Sequence, residues 1–322
     1  MRTHKAVLVT FLAVLLATIP AHTITIGGVP DGGEHPMVGQ LVFYVPDALP
    51  SPYGTEQPGG WFSCSGTLVS STVVVTAGHC TFATGLEGQS TTDGGGGGYG
   101  GNDVWVSFSE VPDYEGLPPS ADYIPDDNTQ RYLDREAWLD ANPDWHRGTA
   151  YPHPQFDNDA FYLHDAGVVV LDEPYDPPGD VDFAQLAGLD YLDQFTGKDK
   201  AQTVFEAVGY GLEYSRPKVQ LGGDTRMKSQ QVILNSKGVY GVHDKSSIVF
   251  SNNNGRPHTG GTCSGDSGGP FFLNNTNIQV AVNSYGVPPN CTGGDGAYRI
   301  DQPDDIDWLA QVLAGTDPRF GD

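Results

Sequence analysis

A serine becomes a useful nucleophile where backbone donors can hold the oxyanion formed when it attacks a carbonyl. Gly265-Asp266-Ser267-Gly268-Gly269-Pro270 has the composition for this. Its glycines leave the backbone free to bring the amides of Gly265 and Ser267 to one point, and a side chain at residue 265 would interfere with that geometry. A Gly-x-Ser-x-Gly string alone is shared with a different class of hydrolase, so a base and an orienting acid must be sought elsewhere in the chain. Thr76-Ala77-Gly78-His79-Cys80 supplies a histidine immediately after the apolar segment Ser71 to Val75, which makes His79 the general base. Asp165 heads the run Asp165-Ala166-Gly167-Val168-Val169-Val170-Leu171. An acid leading into a buried strand is costly unless paired, and Asp165 is therefore the group expected to accept the second ring N–H of His79. Asp172 closes the same run ahead of Pro174 and reads as a turn residue, while Asp159 and His164 read as loop residues.

The first residues carry Arg2 and Lys5, then an apolar run from Ala6 to Ile19, then Pro20 and Ala21. This is the layout of a secretory signal peptide, residues 1–21, and implies a secreted, extracellular protein. No later segment reaches the ~20 apolar residues that a spanning helix needs, so no membrane association is expected after its removal. In an exported chain the four cysteines, Cys64, Cys80, Cys263 and Cys291, suggest two disulfides. Three pairings are open; the grouping into an early and a late couple favours Cys64 with Cys80 and Cys263 with Cys291. The absence of a C-x2-C spacing speaks against zinc. The formal net charge is -24, and about -26 without the leader, a balance that repels nucleic acid and favours solubility.

To position these groups the chain must be largely β. Short apolar runs bounded by Gly, Pro, Asn and Asp recur at Leu41 to Val45, Thr67 to Thr76, Asp103 to Phe108, Gly167 to Leu171, Thr203 to Val208, Gln231 to Leu234, Ser247 to Phe250 and Ile278 to Val282. Helical periodicity is confined to the end, where Trp308, Leu309, Val312 and Leu313 follow Asp304 and Asp305 as a capped amphipathic helix. Residues 84–101, with the run Gly94 to Gly98, read as a mobile surface loop. Residues 110–150, rich in Asp, Pro and Tyr, read as an elaborated acidic loop without the spacing of an EF-hand. The sequons Asn274-Asn275-Thr276 and Asn290-Cys291-Thr292 are acceptors for glycosylation only where the source has the machinery.

In the order His, Asp, Ser, these three motifs resemble the trypsin and chymotrypsin family of serine proteases; an α/β-hydrolase runs Ser, Asp, His. Ile26-Gly27-Gly28 with His35-Pro36 is similar to the mature start of such enzymes. Ser284-Tyr285-Gly286 resembles the strand that holds extended substrate, and Gly296-Ala297-Tyr298 the wall of the primary pocket. The resemblance implies an all-β fold of two six-stranded antiparallel β-barrels packed around a cleft with a C-terminal helix. The protease domain would span residues 22–322, with barrels at about 22–172 and about 173–322. It further implies a serine endopeptidase that works on protein or peptide substrates through an acyl-enzyme, as a monomer, with neither cofactor nor metal. Gly261, six residues before the nucleophile, would lie at the base of the primary pocket. With Gly286 and Gly296 also small, that pocket would be open, uncharged and suited to a bulky apolar or aromatic side chain. Asp295 reads as an exposed loop acid; turned inward, it would instead select Arg or Lys. Asp266 would pair with a freed N-terminus at Ile24 or Ile26, although Thr25 stands where the family usually has isoleucine. His79 and Asp165 are 86 residues apart, against roughly 45 in the template enzyme. About 40 extra residues would thus sit at or near the cleft rim. The competing expectation is a non-catalytic binding protein on the same fold.

Overall fold

The computed structural model describes residues 27–46, 60–85, 103–119, 128–160, 162–179, 181–216, 219–237, 245–253, 255, 257–286, 291 and 293–320. The expected leader, the mature start at Ile24 or Ile26, most of the loop 84–101 and Asn290 lie outside these residues. In chain order the elements are β1 (Val29–Pro30), β2 (Val38–Val45), β3 (Gly60–Leu68), β4 (Val73–Thr76), β5 (Asp103–Ser107), α1 (Asn128–Ala141), β6 (His146–Pro152), β7 (Gly167–Leu171), β8 (Gln185–Leu186) and α2 (Asp199–Gln202). They continue with β9 (Phe205–Gly209), β10 (Leu212–Arg216), β11 (Val219–Gly222), β12 (Met227–Asn235), β13 (Ser247–Ser251), β14 (Pro270–Leu273), β15 (Ile278–Gly286), β16 (Gly294–Arg299) and α3 (Pro303–Leu313).

Strands β2-β3-β4-β7-β6-β5 close into one antiparallel barrel, and β12-β13-β16-β15-β14-β9 into a second, sealed by the β9–β12 pairing. Closure leaves no free edge on either ring. Val38, Leu41, Phe43, Val74, Val104, Val106 and Val169 fill the first interior, and Phe205, Ile248, Phe250, Phe271 and Val280 the second. Phe250 stacks on Phe271 with ring centroids 4.1 Å apart. Helix α3 lays Trp308, Leu309 and Val312 against Val73, Val75 and Val168 of the first barrel and Val282 and Tyr298 of the second, so one apolar cluster joins the two. Its first turn differs from the expected cap. Pro303 begins the helix, Gln302 makes no side-chain cap bond, and Asp305 is buried, accepting the hydroxyl of Tyr298 at 2.9 Å. Leu313 is exposed. Strand β1 pairs with β12 of the second barrel, and buried Arg226 locks the chain entry there through Asp31.

Residues 110–150 are not simply a loop. They contain α1 and most of the barrel strand β6. Strand β6 was hidden because its buried positions, Gly148, Ala150 and Pro152, are small rather than strongly apolar. Helix α1 buries Tyr132, Arg135 and Leu139, a helical spacing that the charge on Arg135 masks. Its guanidinium lies 4.7 Å over the Trp61 ring and donates to the Pro118 carbonyl. With Tyr44, Trp105 and Trp145, the helix forms a satellite core on the outside of the first barrel. The run Thr67 to Thr76 is likewise two strands, β3 and β4, separated by a turn.

Candidate active site

His79 sits in a short 3-10 turn directly after β4, and Asp165 directly before β7. Because β4 and β7 pair antiparallel, with Thr76 opposite Gly167, the two leave the barrel at the same end. Gly78 fits only as glycine, since a Cβ there would lie 2.5 Å from the Phe156 ring and 3.0 Å from the Ala166 carbonyl. Asp165 is fully buried and half-buried His79 closes over it. The Asp165 carboxylate accepts the backbone N–H of His79 at 2.9 Å, its Nδ1 at 3.0 and 3.1 Å, and the Ser284 hydroxyl at 2.5 Å. Those bonds fix the ring with Nε2 outward. Burial works against charging the imidazole, but the charge and hydrogen bond of Asp165 outweigh it and raise its pKa above the ordinary histidine value.

Ser267 lies on the turn before β14. Gly268, with φ of 78°, abuts the strand leading to His79 so closely that a Cβ would sit 2.0 Å from Thr76 Oγ1 and 2.7 Å from the Ala77 nitrogen. Disulfides flank both halves of the site, Cys64–Cys80 beside His79 and Cys263–Cys291 beside the serine turn. Ser267 Oγ and His79 Nε2 are not hydrogen-bonded to each other; such contacts tighten when substrate binds. The amides of Gly265 and Ser267 donate to no acceptor among the described residues, which leaves both available to an oxyanion. Ser65 on β3 was missed in the sequence. Its buried hydroxyl donates to the Gly265 carbonyl at 2.9 Å and accepts the Tyr210 N–H at 3.0 Å, while its own N–H donates to the Ser267 carbonyl at 2.7 Å. No spacing rule marks a serine 200 residues away from the turn it supports.

Asp266 is buried and accepts the amides of Gly211 and Cys263, both at 2.8 Å. Gly209 and Gly211 make room, since a Cβ on either would lie within 2.3 Å of the carboxylate. No cation pairs with it among the described residues, and burial raises its pKa to about 7.

The pocket beside Ser267 departs from expectation in two respects. Asp295 is not an exposed loop acid; it is 1% exposed within β16. It accepts Thr262 N–H at 2.9 Å and Gln231 Nε2 at 2.6 Å, and burial pushes its pKa up to about 7. A hollow of about 260 Å3 is lined by Thr262, Cys263, Ser264, Ser267, Asn283, Ser284, Tyr285, Gly286 and Cys291. Of the three glycines expected to open the pocket, Gly286 lines it and Gly261 and Gly296 do not. The Tyr285 ring lies 2.0 Å from where a Gly296 Cβ would be, and the Asn252 side-chain nitrogen 2.4 Å from that of Gly261. The room that the two glycines provide is already filled.

Among the described residues, ligating atoms also converge at His153, His164 and Asp304, within 4.8 Å of one another. His153 Nδ1 accepts the Gln155 N–H at 3.1 Å, which places the ring hydrogen on Nε2, the nitrogen a metal would need bare. The sulfurs of the second such group, Cys64, His79 and Cys80, are consumed in the disulfide.

A family model described as Trypsin matches residues 139–305. Comparison with curated protein sequences finds no match. Among solved structures, HL collagenase is similar with a TM-score of 0.57 at 17% identity, covering 91% of this chain and 99% of that one. Human heparin binding protein is similar with a TM-score of 0.54 at 16% identity, covering 91% and 98%. At these identities the likeness concerns the fold.

Proposed function

The chain belongs to the trypsin family, and from that premise we propose that it is a secreted serine endopeptidase with Ser267 as nucleophile, His79 as general base and Asp165 as its orienting partner. The observation that carries this reading is the pairing of His79 with Asp165 through both its backbone amide and Nδ1, beside a serine turn with two unengaged amides. Ser267 Oγ attacks the scissile carbonyl carbon and passes its proton to His79 Nε2. The negative oxygen is received by the amides of Gly265 and Ser267. The imidazolium, stabilised by Asp165, then protonates the leaving amine as the C–N bond breaks, and water repeats the sequence on the acyl-enzyme to free Ser267. Two disulfides fit export to an oxidising compartment, and no described helix is long and apolar enough to cross a membrane.

Hydrolysis of an unfolded protein substrate by the full chain and by Ser267→Ala and His79→Ala tests the proposal. Each substitution is expected to lower kcat by at least about a thousandfold, since members of such a unit fail together. Hydrolysis that persists in Ser267→Ala overturns Ser267 as nucleophile, and a folded wild-type protein that cleaves nothing leaves the non-catalytic binding protein as the better account.

A further inference from the structure

We propose that Tyr285 shortens the primary pocket, so that the enzyme cleaves after short side chains such as alanine, serine and threonine rather than after aromatic or long basic ones. The proposal rests on the catalytic reading above and concerns its substrate class. In strands β15 and β16, Tyr285 is opposite Gly296, at a bulge between Asn283 and Tyr285 that breaks the regular register. The Tyr285 ring is buried and lies across Gly296, with ring atoms 2.0, 2.2 and 2.4 Å from the point a Cβ would occupy. The absence of a side chain at residue 296 therefore accommodates Tyr285, not a substrate.

Gly261, outside the lining of the hollow, is backed by the Asn252 amide, which accepts the Gly293 N–H at 3.0 Å on its oxygen. Beside the Tyr285 ring, the described lining is uncharged and combines the Cys263–Cys291 disulfide with polar side chains. The Thr262 hydroxyl is bonded to the Asn283 side chain at 2.7 Å, and both face the hollow. Asp295 stands behind Thr262, whose amide it accepts, and takes no part in the lining. A hollow narrowed by an aromatic ring and edged by a threonine–asparagine pair offers hydrogen-bonding groups for a short hydroxylated side chain. Among the described residues its lining offers no counter-charge for Arg or Lys.

The test uses the secreted full chain and its Tyr285→Ala variant. A p-nitrophenyl acetate burst counts acylating sites in each preparation without engaging the pocket, and a peptide library varied at the residue before the scissile bond then gives kcat/KM per site. Wild type should favour Ala, Ser or Thr over Phe and Arg by at least about tenfold, the scale that small volume differences reach in such pockets. Tyr285→Ala should raise kcat/KM for Phe at least about tenfold and reverse the preference. A wild-type burst with preference for Phe, Leu, Arg or Lys overturns the pocket assignment alone, as does a Tyr285→Ala profile identical to wild type. Absence of a wild-type burst overturns the catalytic reading and this inference with it.

Discussion

Ser65 joins the two halves of the site more directly than any residue of the triad. Its hydroxyl holds the carbonyl of Gly265, and its amide holds the carbonyl of Ser267, so the peptide groups that directly follow the two proposed oxyanion donors are referenced to β3 of the opposite barrel. Replacing it with alanine strands a buried carbonyl and the Tyr210 N–H, at about 1–3 kcal/mol for each unpaired group. Ser65→Ala should therefore lower kcat per titrated site by about ten- to a hundredfold while KM changes less than threefold, because the loss concerns the oxyanion more than bound substrate. A steady-state comparison checks it. Unchanged kcat with a lowered melting temperature would make Ser65 purely structural. Glycine behaves differently at this scale. Gly78 and Gly268 matter because backbone and side chains occupy the space their Cβ atoms would need, whereas Gly296 matters because a neighbouring ring has filled it.

At the scale of elements, the positions of His79 and Asp165 were legible because each adjoins a strand of strongly apolar residues, Val73–Thr76 and Gly167–Leu171, and a buried acid demands a partner. The serine turn was legible from its glycines. Strand β16, Gly-Asp-Gly-Ala-Tyr-Arg, is buried throughout yet carries two charged residues. Its burial is set by flanking strands β13 and β15, so no local pattern announces it and Asp295 was misplaced as a surface acid. Helix α1 and strand β6 escaped for the same reason: tertiary contacts bury Arg135, Gly148 and Ala150, which hydrophobic periodicity does not count. From the expected loop 110–150, Tyr132, Leu139 and Trp145 support the outer face of the first barrel through Tyr44, Trp61 and Trp105. The position of the Tyr285 ring over Gly296 was not legible, because it depends on how β15 and β16 pair around the register shift between Asn283 and Tyr285.

Across the whole molecule, charge and burial give stability a definite pH dependence. Burial raises Asp266 and Asp295 to about 7 and Asp305 to about 8. Between the unfolded value near 4 and those values, the folded state keeps protons that the unfolded chain has released, so stability falls as pH rises through that window. Asp31 behaves oppositely. Burial opposes its ionisation, but His35 and Arg226 prevail and hold it at about 2, so its contribution is lost as pH falls from about 4 through that value. A melting-temperature series should peak near pH 4–5 and decline to pH 8, with a shallower decline in Asp305→Asn; a melting temperature that rises from pH 5 to 8 would contradict this assignment. The net charge of -24 adds self-repulsion of the same sign as carboxylates ionise. None of this bears on whether the cleft is an active site. The measurement that does so most directly is intact-mass analysis of the secreted protein after treatment with a fluorophosphonate. The account predicts one adduct per chain, mapped to Ser267 and abolished in both Ser267→Ala and His79→Ala; a folded protein that takes up no label, or takes it up at another residue, would contradict it.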